Sequence, residues 1–133
     1  MAKREMIGIP NEKKRVEVTV GNHVVITDQN VEYGGDDAGP SMGAMFLAGL
    51  VACTTSTARG YCKKHGLPIP EKVIATIDMD EETELVANVD FKIIVPESFP
   101  EKRFKALVRA SGTCTVKGWW SNPPSFTGTA SYE

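Results

Sequence analysis

Hydrophobic residues along this chain first alternate with polar ones, then run together, then alternate again, and the changes of period mark the elements. Met6-Ile7-Gly8-Ile9, ahead of Pro10, is a candidate short edge strand. Val16, Val18 and Val20 alternate with Arg15, Glu17 and Thr19, the period of a half-buried strand. Gly21-Asn22 is a two-residue turn signal leading into His23-Val24-Val25-Ile26-Thr27, so a β-hairpin is predicted. Gln29 to Gly39 carries the Gly, Asn and Asp residues of a loop. The alternation then stops. From Met42 to Ala58 there is no charge, and Met45, Phe46, Leu47, Leu50 and Val51 point in every direction of a helical wheel. A helix that is apolar all round belongs in a core, so a long buried helix is expected here. Ser41 supplies an N-cap hydroxyl after Gly39-Pro40, with Asp36 and Asp37 near the positive helix end. Lys63, Lys64 and His65 fill the last turn, Gly66 takes the left-handed position beyond it, and Pro68 prevents continuation.

Period two returns at Val73, Ala75, Ile77 and Met79, and again at Leu85, Ala87, Val89, Phe91, Ile93 and Val95. Between these two strands the acidic run Asp80-Glu81-Glu82-Thr83-Glu84 reverses the chain. Ser98 and Glu101 have the spacing of a capping box, with Pro100 in the first turn, and Phe104, Leu107 and Val108 continue at helical spacing. Gly112 ends that helix, Thr113 reads as the N-cap of a short third helix, and Phe126, Gly128, Ala130 and Tyr132 alternate in a predicted last strand. The order predicts an α+β fold, with antiparallel sheets around a long buried central helix in a single domain over residues 1–133. Short strands of one chain have trouble enclosing such a helix on all sides. Gly43, Ala44, Ala48, Gly49 and Ala52 permit close backbone approach, so an intertwined homodimer with paired helices between the sheets of both subunits is expected.

A net charge of −2, with no basic run, argues against nucleic acid or an anionic membrane surface as partner. The uncharged helical run is short for a membrane span and is interrupted by Gly49 and the Thr54-Thr55-Ser56-Thr57 block, so no membrane insertion is expected. No apolar run long enough for the core of a secretory signal follows Met1-Ala2-Lys3-Arg4-Glu5, and the expected compartment is the cytoplasm. Three cysteines, Cys53, Cys62 and Cys114, are an odd number in such a chain and argue against a structural disulfide framework.

The chemistry therefore centres on thiols. Cys53 lies inside the long helix and shares its face with Gly49, Leu50, Ser56 and Thr57. Cys62, nine positions on, is about half a revolution around that helix and cannot join Cys53 at one site within a chain. A cysteine in an apolar run is most simply a small buried hydrophobe, and burial raises its pKa. A reactive Cys53 thus needs an activating partner from elsewhere, with Arg4, Arg15 and Arg59 as candidate cations. Cys114, just past the expected N-cap, would feel the positive end of the short helix. Cys62-x-x-His65 offers two metal ligands without a second pair, and Gly34-Gly35 lacks the rest of a phosphate loop, so neither a metal nor a cofactor is expected.

The loop Gly34-Gly35-Asp36-Asp37-Ala38-Gly39-Pro40-Ser41, the helix segment Leu50-Val51-Ala52-Cys53-Thr54, the stop Lys64-His65-Gly66-Leu67, the segment Gly112-Thr113-Cys114-Thr115-Val116 and the terminal Ala130-Ser131-Tyr132-Glu133 resemble the OsmC/Ohr family, osmotically inducible and organic hydroperoxide resistance proteins. The resemblance covers roughly residues 14–133. It implies the intertwined homodimer and a thiol peroxidase acting on organic hydroperoxides in stress defence. In that reading Cys53 is the peroxidatic cysteine, Cys114 resolves its sulfenic acid as a disulfide, and an external dithiol or lipoylated protein is the reductant. Three positions depart from the family pattern. Ala44 stands where peroxidase members carry a Glu, no Arg lies near Tyr33, and Thr115 replaces the Pro that commonly follows the second cysteine. These departures imply the alternative of a dimeric small-molecule-binding or structural protein that takes an apolar ligand without peroxidase activity.

Overall fold

A computed structural model describes residues 1–132. Three strands, β1 (Met6–Pro10), β2 (Val16–Val20) and β3 (His23–Thr27), form an antiparallel sheet in that order. Their register pairs Gly8 with Val18 and Val18 with Val25. The helices are α1 (Met42–Lys64), α2 (Phe104–Ser111) and α3 (Thr115–Ser121), and β4 (Lys72–Met79) pairs antiparallel with β5 (Val86–Ile94). The fold is α+β with antiparallel sheets and one long helix. The chain clusters into two compact units, Met1–Ala48 and the part from Gly49 onward.

In the first unit the loop after β3 is built on a buried carboxylate. Asp28 is 1% exposed and accepts the backbone N–H groups of Gln29 at 2.8 Å, Asp36 at 3.1 Å and Ala38 at 3.1 Å. These donors hold its pKa below the usual carboxylate range, the Gln29 N–H contributing most and burial opposing them. The loop closes so tightly that a Cβ on Gly35 would lie 2.0 Å from the Gln29 carbonyl oxygen. It contains a 3-10 turn at Val31–Tyr33 and hands the chain to Ser41, whose Oγ accepts the Ala44 N–H at 3.3 Å as the expected N-cap.

In the second unit α1 ends in a left-handed cap. Gly66 has φ +64°, the Leu67 N–H reaches the Cys62 carbonyl at 2.9 Å, and the Gly66 N–H reaches that of Lys63 at 3.3 Å. The core of this unit joins Ala58 and Cys62 to Phe99 and Leu107, with Leu67, Ile93 and Val95 packed against it.

Four expectations need correction. Within one chain α1 buries a single stripe at spacing four, Leu50, Thr54, Ala58 and Cys62, while Met42 is 45% and Phe46 60% exposed. One chain does not supply enough surface to cover the remaining faces. The apolar alternation of the second hairpin breaks at a register shift beside Asp78 and Met79, so Val86 is half-buried and Leu85 and Ala87 are exposed. The capping box does not form: the chain enters α2 through a 3-10 turn at Glu101–Arg103 whose N-cap is Pro100, without a side-chain cap. Finally, Phe126 and Tyr132 belong to no strand and are fully exposed, since the segment after Asn122 finds no partner strand to complete a ladder. Glu133, at the end of the terminal motif, lies outside the described residues.

Candidate active site

The second unit brings Cys53 and Cys114 together. Cys53 projects from the middle of α1 and is partly exposed, whereas Cys114 is 4% exposed. The N-cap of α3 is Cys114 itself and not Thr113: its Sγ accepts the Lys117 N–H at 3.4 Å. Thr113 instead donates its hydroxyl back to the Ala110 carbonyl at 2.7 Å, closing the end of α2. With its hydroxyl turned back to Ala110, Thr113 does not cap α3, which starts one residue later than the hydroxyl pattern predicts.

The first amides of α3 act on the Cys53 thiol. The Cys53 pKa lies below that of an ordinary thiol because the Val116 N–H donates to the thiolate, aided by the Cys114 thiol, the Thr115 N–H and the Thr57 hydroxyl, while burial opposes them. The groups that lower it most are neutral donors. Thr57 Oγ1 also donates to the Cys53 carbonyl at 2.9 Å, so its one proton is shared between the carbonyl and the sulfur. Arg59 is exposed and donates to Ser56 Oγ at 3.3 Å. Arg15 belongs to the first unit, where it pairs with Glu17 at 2.6 Å and helps hold Asp28 ionised. Arg4 is exposed near the N-terminus.

Cys62 is fully buried in the core beside Phe99 and Leu107, and burial pushes its thiol up. His65 does not turn toward it but lies against Tyr61, ring centroids 4.5 Å apart. The opposite facing of Cys53 and Cys62 follows from the helical period alone. Thr54 carried no such signal, since it adjoins Cys53 in sequence and reads as part of a polar block. Its place in the stripe Leu50, Thr54, Ala58, Cys62 marks it as buried, and it is 0% exposed.

In the same unit Leu50, Val89, Phe91, Lys117 and Trp120 line a groove of about 360 Å³. Lys117 Nζ stands 4.5 Å over the Phe91 ring and donates to the Ser111 carbonyl at 3.3 Å, which pins the side chain that follows the Cys114 cap. Cys53 and Cys114 lie close together, with the Cys53 thiol acidified, and two neighbouring thiols have the chemistry of a dithiol–disulfide pair.

No curated protein sequence matches the chain. Solved structures do. A crystal structure from Psychrobacter arcticus, of a protein named for osmotic stress induction and detoxification response, superposes with a TM-score of 0.73 at 16% identity, covering 89% of this chain and 88% of that one. An OsmC-like protein from Mycoplasma pneumoniae gives a TM-score of 0.67 at 17% identity, over 92% and 89% of the two chains. An organic hydroperoxide resistance protein OsmC from Legionella pneumophila gives 0.53 at 18% identity, over 89% and 90%. At these identities the likeness is one of fold. The sequence profile of the OsmC-like protein family matches residues 34–127, a span that holds the loop, the long helix and both site cysteines. With that match over most of its length, the chain belongs to the OsmC-like protein family.

Proposed function

We propose that this protein reduces organic hydroperoxides with a cysteine pair, in a detoxification role. Cys53 is the peroxidatic residue. Its thiolate attacks the distal peroxide oxygen, the O–O bond breaks, the alcohol leaves with a proton, and Cys53 becomes a sulfenic acid. Cys114 then attacks that sulfur, a disulfide forms and water leaves. An external dithiol, of the kind carried by lipoylated proteins, returns both thiols. The observation that carries this reading is the Cys53 thiol held acidic by the α3 amides with Cys114 beside it. The activation that the family pattern assigns to an Arg and a Glu is supplied here by peptide N–H groups, consistent with Ala44 at the position of that Glu. The groove of Leu50, Val89, Phe91 and Trp120 suits the apolar part of such a substrate. The protein acts as a homodimer in the cytoplasm, and among the described residues no helix is long and apolar enough to cross a membrane.

Turnover of an organic hydroperoxide with a dithiol reductant, followed on wild type and Cys53→Ser, tests the proposal. Wild type is expected to consume peroxide catalytically and Cys53→Ser to be inactive. The same slow consumption by both proteins would leave the groove as a binding site and the protein without peroxidase chemistry.

A further inference from the structure

Thr54 is buried completely, one residue from Cys53, yet its side chain turns toward the other cysteine. Its Oγ1 donates to the Leu50 carbonyl at 2.9 Å and lies 3.9 Å from the Cys114 sulfur. With the Cys114 S–H turned to the Cys53 thiolate, the Thr54 hydroxyl is the donor toward the Cys114 sulfur and divides its one proton between that sulfur and the Leu50 carbonyl. The same sulfur accepts the Lys117 N–H at 3.4 Å. Cys114 is therefore held from two sides, by an amide of its own helix and by a hydroxyl of α1.

We infer that Thr54 is a positioning residue for the resolving step, fixing the Cys114 sulfur toward Cys53. The inference rests on the peroxidase reading and extends it to the second half of the cycle. In that step a Cys114–Cys53 S–S bond forms, the Cys53 S–O bond breaks, and the displaced hydroxide takes the Cys114 proton and leaves as water. Thr54 undergoes no chemistry. It restrains the rotation of the Cys114 side chain and, by rotating its own hydroxyl from Leu50 to the sulfur, stabilises the thiolate as the proton departs. The N-cap amide and the Thr54 hydroxyl hold the sulfur from different directions, so together they narrow its rotation about χ1 more than the amide alone.

The test is a single-turnover experiment. Reduced protein is mixed with one equivalent of an organic hydroperoxide, and Cys53 sulfenic acid is trapped with a 1,3-dione at successive times. Thr54→Val keeps the shape and loses the hydroxyl, whereas Thr54→Ser keeps the hydroxyl and loses a buried methyl. Loss of one hydrogen bond predicts disulfide closure about fivefold slower in Thr54→Val, with near wild-type closure in Thr54→Ser. Melting temperatures are expected to rank the other way, Thr54→Ser being the less stable. A purely packing role for Thr54 would make the rates follow the melting temperatures, and that result, or wild-type closure in Thr54→Val, would overturn the inference. Absence of any trapped sulfenic acid, even in Cys114→Ser, would instead overturn the peroxidase reading, and the role of Thr54 with it.

Discussion

The Cys114 sulfur accepts the Lys117 N–H at 3.4 Å, so a thiol occupies the position where a short helix ordinarily carries a Ser, Thr, Asp or Asn. One residue thereby starts α3 and presents a nucleophile. The amides that follow it, on Thr115 and Val116, help hold the Cys53 pKa below that of an ordinary thiol. The geometry of the site depends on where this helix begins.

Replacement of Cys114 separates its two roles. Cys114→Ser keeps a capping acceptor and is expected to leave stability close to wild type, while Cys114→Ala loses the cap and costs about 1 kcal/mol. Urea denaturation of the reduced proteins measures the difference. Equal stability of the two variants would remove the cap from the account.

The depressed Cys53 pKa sets the pH dependence of its reactivity. The thiolate forms as pH rises through that lowered value, so alkylation of Cys53 is expected to be half-maximal below the ordinary thiol pKa of about 8.5. The same shift is linked to folding. The native chain holds the thiolate better than the unfolded chain, and the associated stability grows as pH rises from the lowered pKa toward 8.5 and is lost as pH falls through it. Rates of iodoacetamide labelling across pH, resolved by peptide, measure the reactivity. An ordinary Cys53 profile would leave the α3 amides without a role in activation.

Cys62 is expected to stay silent in the same experiment, because it is fully buried and its thiol is pushed up. Cys62→Ser should retain peroxide reduction and lose about 1–2 kcal/mol of stability, the cost of placing a hydroxyl among Ala58, Phe99 and Leu107. A loss of activity matching that of Cys53→Ser would mean that a second chain brings its thiol to the site.

Asp28 offers a test away from the thiols. Its two carboxylate oxygens accept three backbone N–H groups, so Asp28→Asn turns an NH2 donor toward at least one of them. The variant is expected to melt lower and to be cleaved faster in residues 29–39 by a broad-specificity protease. Stability from the native carboxylate is present above the ordinary carboxylate pKa and is lost as pH falls through the lowered one. An unchanged melting temperature and cleavage pattern would contradict the view that this carboxylate organises the loop.

The exposed apolar faces predict association. Met42 and Phe46 on α1, and Ile74, Ile77 and Met79 on β4, are each more than a third exposed in one chain. Such surface on a chain of this size calls for a second copy, so sedimentation at micromolar concentration is expected to give a dimer whose interface includes α1. A stable monomer would contradict it.

Most of the fold was legible in the sequence, because periodicity reports which face a residue takes. The strand pairs, the hydroxyl cap at Ser41 and the left-handed Gly66 all follow from local rules. Those rules fail where tertiary contact decides. Phe126 and Tyr132 alternate like a strand but have no ladder to join, and Ser98 and Glu101 have a capping spacing in a segment that begins with a 3-10 turn. At the site, the helical phase separated Cys53 from Cys62, but no spacing pairs residues as far apart in sequence as Cys53 and Cys114. Backbone amides have no sequence signature, and those of Thr115 and Val116 act on Cys53 only once α3 is in place.

Product mapping after a single oxidation tests the pairing of Cys53 with Cys114 most directly. Reduced protein receives one equivalent of an organic hydroperoxide, and each cysteine-containing peptide is identified by mass spectrometry in wild type, Cys53→Ser and Cys114→Ser. The account predicts a Cys53–Cys114 disulfide in wild type, Cys53 sulfenic acid in Cys114→Ser, and unmodified thiols in Cys53→Ser. Reduced Cys53 and Cys114 in wild type, with the peroxide left unconsumed, would contradict it.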